Sequence, residues 1–572
     1  IECPLAKLYA PRLAELEREF GPPGVAFVAI DSNAHDSMRG LHDFTVQHHL
    51  TFPVLRDNDG AVAERFGALR TPEAFLLDPK GIIRYRGRID DQSDVVVHRA
   101  SIGRRDLAEA IKELLAGKAV TVPRTAASGC RIERIASKIA KPAPTYWPDV
   151  AGIFRQRCIT CHRPGQIGPF SLTSYSDAAA WSETIREVID SRRMPPWHAD
   201  PRFGKFANDA HLTDQQIHMI DSWIDAGCPE GEISDHGQSP SFENSWGLAN
   251  PDAIITMPQP FTVPAQGVVE YQFIDIDPGF KEARWVQASE IRPGNPKVVH
   301  HCNVFLRPPD LKEPVASGKL GSLCLAAHAQ GMPPEQYPPG MAKLIPAGWH
   351  LLFVMHYTPI GSVQTDQSSL ALVFADAATV RKEVATHVLY DLNLEIPPGD
   401  PAYQVEQNWR VEQNVLLLAM FPHMHMRGKS FRYEAIDKDG ETEILLDVPR
   451  YDFNWQNRYV LAEPRRFPSG TTFRCTAVYD NSESNPFNPD PHQTVRTGTQ
   501  SWEEMFNGYF EWALADQDMI DEPWVDRLAE LAQRISGPTL GGFVISAGFL
   551  FLCFRFGRRW RDSRVKACPK EV

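Results

Sequence analysis

From about residue 250 to about residue 515 the chain advances in short apolar runs separated by Pro and Gly turns. A run such as VLLLAM (415–420) is long enough for a buried strand and too short for a buried helix. The 47 prolines reinforce this reading, because proline lacks the N–H that helix interiors need. The region is therefore expected to be all-β, most simply two consecutive antiparallel β-sandwiches over 250–385 and 386–520. YDNSESNPFNPDPH (479–492) reads as a long polar loop within the second.

Charge and cysteine usage narrow the partners. The net charge is −13, and no basic tract lies outside the C-terminal end, which argues against nucleic acid. The 10 cysteines are scattered apart from one C-x-x-C-H unit, so the chain is not a small disulfide scaffold. It opens as IECPLAKLYAPRL, already in a helical pattern and without an initiator Met, so the expectation is a truncated or processed chain whose export signal has been lost. Near the other end, GPTLGGFVISAGFLFLCF (537–554) is uncharged and covers about 27 Å as a helix, against a bilayer core of about 30 Å. Arg555, Arg558, Arg559, Arg561, Arg564 and Lys566 follow it. The expectation is one transmembrane helix over 537–556 and a basic cytoplasmic tail over 557–572, with the bulk of the chain on the periplasmic side of the cell membrane.

Residues 1–120 alternate helix and strand: a helical pattern over 5–20, apolar runs at 25–30, 52–57 and 73–78, a hairpin partner at 81–89 and an amphipathic helix at 106–117. With Cys3-Pro4 at a helix start, Thr71-Pro72 before a strand, and FLLDPKGIIRYRG, the segment resembles the thioredoxin-like redoxin family. That resemblance implies a cis-proline turn at Thr71-Pro72 facing Cys3. Two departures stand out. The strand that should precede Cys3 is missing, and Ala6 occupies the place of a second C-x-x-C cysteine. Cys3 is thus a candidate redox thiol activated by a helix N-terminus, with Cys130 as a distant partner; the other reading is a domain kept for packing or docking.

Residues 121–146 have linker composition, and a mostly helical block follows over 147–235. Within it, Cys158-Ile159-Thr160-Cys161-His162 places two thiols and an imidazole at i, i+3 and i+4, able to meet one haem from one side. SRRMPPWHAD offers Met194, and LTDQQIHMIDSWIDAG (212–227) reads as a Thr-capped closing helix. The block resembles class I cytochrome c, which implies one haem c attached through Cys158 and Cys161. His162 would bind the iron, with Met194 as sixth ligand and His198 and His211 as alternatives.

Four stretches in the β region carry further metal-ligating residues: PKVVHHCNVFLRP (His300, His301), WHLLFVMHYTPIG (His356), FPHMHMRGKSF (His423, His425) and TQSWEEMFNGYF (Met505). On a strand, His423 and His425 share a face. Adjacent His300 and His301 would not, so one ion could bind both only at a bulge or strand end. His328 and His350 are rivals for the first site. In order, His300-His301, His356-Tyr357, His423-Met424-His425 and Glu504-Met505 resemble the copper type II, ascorbate-dependent monooxygenases. The resemblance implies two copper ions, one on His300, His301 and His356, the other on a catalytic set of His423, His425 and Met505; the thioether would favour Cu(I). Cys302 and Cys324 are a candidate disulfide. Arg427 reads as a solvated side chain or one facing an anionic substrate.

The activity so implied is hydroxylation of a C–H bond with O2. The substrate would be a small molecule or peptide-like compound. The electrons would come from an ascorbate-like reductant or from a membrane or periplasmic redox carrier, through the haem unit. The alternative is a non-hydroxylating haem and copper protein for electron transfer or copper handling, with a thioredoxin-like docking or peroxidase-like module.

Overall fold

The computed structural model describes residues 1, 3–33, 36–93, 102–132, 144–232, 246–309 and 323–520. The N-terminal segment begins with the helix Pro4–Phe20, followed by short strands alternating with the helices Met38–Gln47, Ala61–Phe66 and Asp106–Leu115. Ala29–Asp31 and Val54–Arg56 pair in parallel, while Ala74–Leu77 and Ile83–Gly87 form the hairpin read from the sequence. Among the described residues the two pairs are not hydrogen-bonded to each other. A cavity of about 980 Å³ lies here, lined by Val28, Ile30, Val54, Phe75 and Leu76 among others. The segment expected as a linker does not stand free. Arg124 and Thr125 lie along Arg86, and Cys130–Arg131 pairs with Arg70–Thr71.

The helical block contains Ala151–Arg157, Tyr175–Ala180, Ser182–Asp190 and Asp214–Asp225. The last of these is capped by Thr213, whose side chain accepts from Gln216 N–H while the Gln216 side chain accepts from Thr213 N–H. One apolar cluster runs from Leu5 and Tyr85 through Ile111 to Phe154 and Trp223, so the N-terminal and helical blocks share a core.

Two pairs of facing sheets follow. In the first, the central strands Arg284–Arg292 and Ser369–Ala375 face a sheet ordered Cys324–Ala329, Val299–Arg307, His350–Tyr357, Gln272–Ile276. In the second, Ala385–Tyr390, Asn507–Leu514, Val415–His423 and Tyr459–Phe467 face Tyr403–Arg410, Thr472–Tyr479, Gly428–Ile436 and Thr442–Val448. Alternation explains the inner faces: Phe473, Cys475, Ala477 and Tyr479 are buried every second residue. One pair, Met341–Ile345 with Lys382–Glu383, is parallel, a departure from the wholly antiparallel expectation.

The expected architecture needs a correction at its end. No helix among the described residues is long and apolar enough to cross a membrane. The 17-residue helix Pro4–Phe20 carries Lys7, Arg12, Glu15, Glu17, Arg18 and Glu19, charges whose transfer into hydrocarbon is costly. The fold is a thioredoxin-like N-terminal domain and a large β-rich C-terminal region; the helix expected over 537–556 and the tail over 557–572 lie outside the described residues.

Candidate functional site

The strands Val299–Arg307 and His350–Tyr357 run antiparallel, and their ladder shifts register between Val299 and His301. His300 is the extra residue there, so both neighbours of the pair can turn to one side. Ring centroids of His300 and His301 lie 4.8 and 4.9 Å from that of His356. One nitrogen from each of the three falls within 4.8 Å of the others. That spread exceeds ~4 Å, the most that can separate two nitrogens each about 2 Å from a single ion, so the rings must close inwards to share one.

His423 ends the strand Val415–His423, and His425 lies just beyond it; their rings are 5.2 Å apart and perpendicular. Met424, between them, is fully buried in the sandwich core. The two histidine sets adjoin, for the His301 and His423 centroids are 6.0 Å apart. Phe453 packs among them, stacked on His300 at 4.9 Å and 5.8 Å from both His356 and His425. Tyr271 stacks on His356 at 4.7 Å, and its hydroxyl is hydrogen-bonded to His301 Nε2 at 3.0 Å.

Burial makes these imidazoles neutral. It lowers His300 and His423 to about 4, and it drives His301, His356 and His425 well below the usual imidazole value, with neighbouring rings adding to the effect. His300 Nε2, His356 Nδ1 and His425 Nε2 are buried with no hydrogen-bond partner. An unpartnered buried polar atom costs about 1–3 kcal/mol, so three in one pocket point to a ligand that uses them. Nitrogen and thioether donors are the set copper accepts, and neutral imidazole is the form that binds metal.

Surrounding residues fix the ring orientations. His423 Nδ1 donates to Gln456 Oε1 at 2.6 Å and His425 Nδ1 to the Glu503 carbonyl at 3.2 Å, which leaves both Nε2 atoms as donors to metal. Glu504 accepts the backbone N–H groups of His425 (2.8 Å), Arg427 (2.6 Å) and Met505 (3.2 Å). Its carboxylate therefore ties Met505 to the His-x-His turn, although burial still pushes its pKa up to about 7. Met505 is itself buried, with Asn507 Nδ2 3.4 Å from its sulfur. Arg427 is neither solvated nor free for substrate. It is buried and donates to Asn481 Oδ1 and the Trp502 carbonyl, both at 2.9 Å, so it braces the turn.

The two rival histidines are engaged differently. His350 Nδ1 is 3.0 Å from Asp275 at the other end of its strand from His356. His328 sits opposite Cys302 on the neighbouring strand, with its Nε2 buried and unpartnered. The expected disulfide is absent: Cys302 and Cys324 are both free, because the ladder sets Cys302 against His328 and Cys324 against Phe305.

Cys158 caps the helix Ala151–Arg157, and the C-x-x-C-H unit occupies the turn that continues it, with His162 N–H donating to the Cys158 carbonyl at 3.0 Å. His162 Nδ1 donates to the Phe170 carbonyl at 3.1 Å, which leaves Nε2 for an iron. Burial lowers the His162 pKa and raises those of both thiols. Among the proposed sixth ligands, Met194 is half-buried after the helix Ser182–Asp190, with its N–H donating to the Val188 carbonyl at 3.0 Å. His211 is held by Asp209, and His198 faces Arg450 and Asp452 of the second sandwich.

Two of the contacts between the helical block and the β region lie beside the histidine pocket. A Cβ added at Gly331 would lie 3.5 Å from Cys161 Sγ; two residues away, Ala329 is the register partner of His301. Asn457 Nδ2 donates to the Pro196 carbonyl at 2.7 Å, next to Gln456, the partner of His423. Tyr271, Phe453 and Gln456 were missed by sequence reasoning. They carry no spacing signal, and only the chain's return brings them to the pocket.

The N-terminal domain holds a third centre. Cys3, at the start of Pro4–Phe20 and 1% exposed, donates to the Thr71 carbonyl at 3.1 Å, and the Thr71–Pro72 bond is cis. The Cys130 thiol hydrogen-bonds the Cys3 sulfur and, against the opposing effect of burial, holds the Cys3 pKa down at about 6; the Cys130 pKa is raised in turn.

The AhpC/TSA family matches residues 1–86. Thiol-disulfide oxidoreductase ResA of Bacillus subtilis (strain 168) is 30% identical over 79 residues, which are 14% of this chain and 43% of that protein. The chain thus spans less than half the length of that relative. Among solved structures, the hypothetical protein SMc02350 from Sinorhizobium meliloti 1021 is 29% identical, with 24% of this chain and 75% of that one covered at a TM-score of 0.22. An uncharacterized conserved protein from Geobacillus kaustophilus is 28% identical, with 25% and 73% covered at a TM-score of 0.21. The N-terminal part is a thioredoxin-like redoxin domain similar to ResA.

Proposed function

We propose that the chain is a redox protein in which a thioredoxin-like thiol domain accompanies a copper-binding histidine pocket and a haem-binding turn. One observation carries the copper part: five neutral imidazoles from two sandwiches, four buried and His300 half-buried, share one pocket, three of them with an unpartnered buried nitrogen. His300, His301 and His356 would hold one copper, and His423, His425 and Met505 a second beside it. Cys158 and Cys161 would carry haem c, with His162 on the iron. When bound, these groups would supply one-electron storage and reactivity towards O2. The chain's own residues set the tautomers through Gln456 and the Glu503 carbonyl, keep the rings unprotonated by burial, and exclude water with Phe453 and Tyr271. Closeness of Cys161 to the loop that follows His301's partner strand supports electron passage between the two.

A second, finer reading is copper-dependent hydroxylation of a C–H bond with O2, on a small or peptide-like substrate. The adjoining His-x-His turn and Met505 favour it, because a three-donor set leaves a coordination position open. The likeness to ResA favours the plain redox role instead. Metal analysis after copper loading tests the shared premise: about two coppers per chain are expected, falling to about one in His356→Ala and in His423→Ala. Unchanged copper in both variants would overturn it. Oxygen uptake with a hydroxylated product under a reductant supports the finer reading; reductant oxidation without product leaves the redox role alone.

A further inference from the structure

Cys3 and Cys130 lie far apart in sequence, yet the fold brings both to Thr71. Cys130 is the register partner of Thr71 in a two-residue antiparallel ladder, and Cys3 donates to the carbonyl of that same Thr71. The approach is built into the backbone. Gly129 has φ +140°, and a Cβ there would sit 2.0 Å from the Thr71 oxygen, so only glycine lets the strand close over the helix start. Arg70 Nη1 donates to the Gly129 carbonyl at 2.8 Å, and Ile132 N–H to the Leu69 carbonyl at 3.0 Å, which pins both sides of Cys130. Both cysteines are free thiols. The second thiol that Ala6 denies to a local C-x-x-C is thus delivered from a distant strand.

We propose that Cys3 and Cys130 form a two-cysteine thiol–disulfide exchange centre in which Cys3 attacks a disulfide substrate and Cys130 resolves the product. The inference rests on the thioredoxin-like redox reading of this domain and is independent of copper and haem. The Cys3 thiolate attacks one sulfur of a disulfide RSSR, forming a Cys3–SR bond and expelling RS⁻, which takes up a proton. The Cys130 thiolate then attacks the Cys3 sulfur, forming the Cys3–Cys130 bond and expelling the second RS⁻. The protein dithiol is oxidised by two electrons and RSSR is reduced to two RSH. Since Cys130 is 8% exposed and Cys3 1%, the strand Cys130–Arg131 must lift to admit substrate. Its outer anchor is Glu187 of the helical block, which pairs with Arg131 at 3.0 Å and Arg70 at 3.1 Å.

The test uses the full chain, reduced, freed of reductant and mixed with glutathione disulfide, followed by peptide mapping without reduction. Wild type is expected to give a peptide pair linked Cys3–Cys130 and two glutathiones released per centre. Cys130→Ser and Cys130→Ala are expected to stop with glutathione on Cys3 and one released. Cys130→Ala should also react about tenfold more slowly near neutral pH, because the donor that favours the Cys3 thiolate is gone, whereas Cys130→Ser keeps a hydroxyl donor and should lose less. Glutathione retained on wild-type Cys3 with no Cys3–Cys130 bond overturns the exchange pair but leaves Cys3 a redox thiol. No reaction at Cys3 in any form overturns both.

Discussion

The thiol centre and the histidine pocket are both largely buried but closed in opposite ways. Cys3 is covered by a strand of two residues, Cys130–Arg131, hydrogen-bonded to another of two. Four of the five histidines lie on strands of eight or nine residues, Val299–Arg307, His350–Tyr357 and Val415–His423, in two separate sandwiches, and His425 follows the last of these strands. Local opening costs little where few bonds and few apolar contacts must break, and approaches global unfolding where whole sheets must part. The thiol centre is therefore suited to admit a bulky substrate by lifting an edge. The pocket is suited to hold small ions in fixed geometry.

The sharpest way to break this contrast is to loosen the seam between sandwiches. Glu511, on Asn507–Leu514, accepts from Lys343 of the first sandwich at 2.7 Å, from Tyr337 at 3.0 Å and from Arg458 Nε at 2.9 Å. Burial alone would raise its pKa, but Arg458 and Lys343 outweigh burial and hold it at about 2. Glu511→Gln leaves two buried cations short of their counter-charge and is expected to cost about 3–5 kcal/mol in urea denaturation at neutral pH. Because the folded pKa lies below the ordinary carboxyl value of 4.5, this contribution is fully present above about pH 4.5 and is lost as pH falls towards 2. The gap between wild type and variant should close over that range. Alkylation of Cys3 at neutral pH should be unaffected; a change there would mean that the two centres open together.

A smaller effect is expected from the ring that Gln456 orients. Gln456→Leu removes the acceptor for His423 Nδ1 without touching the donor nitrogen. Copper affinity, measured by competition with a chelator, should fall about 10–100-fold. Unchanged affinity would mean that strand geometry alone fixes the ring.

What the sequence disclosed differs between the regions for a physical reason. Period-two spacing put His423 and His425 on one side and Met424 in the core, and the bulge at His300 follows from asking two adjacent residues to face one way. Such local geometry is legible. Tyr271, Phe453 and Gln456 are not: Tyr271 stands just before the strand Gln272–Ile276, while Phe453 and Gln456 stand on a loop between Thr442–Val448 and Tyr459–Phe467, and Phe453 reaches His300 only once the two sandwiches have docked. Arg427 misled because charge beside a turn reads as solvent-facing, whereas Asn481 and the Trp502 carbonyl compensate it in the interior. Linker composition over 121–146 concealed a strand of two residues, too short to show any periodicity.

The gentlest perturbation addresses the lid over Cys3. Glu187, on Ser182–Asp190, is about a quarter exposed and pairs with Arg70 and Arg131, so Glu187→Gln removes partly screened ion pairs and should lower global stability by less than about 1 kcal/mol. If those pairs tether the strand, the loss falls wholly on local opening, and even 1 kcal/mol there corresponds to about a fivefold larger open population. Alkylation of Cys3 and Cys130 should accelerate by up to that factor while urea denaturation and copper affinity stay at wild-type values. Unchanged alkylation would place the hold on the strand in its own backbone bonds, at Arg70 to Gly129 and Ile132 to Leu69, and would detach the thiol centre from the helical block.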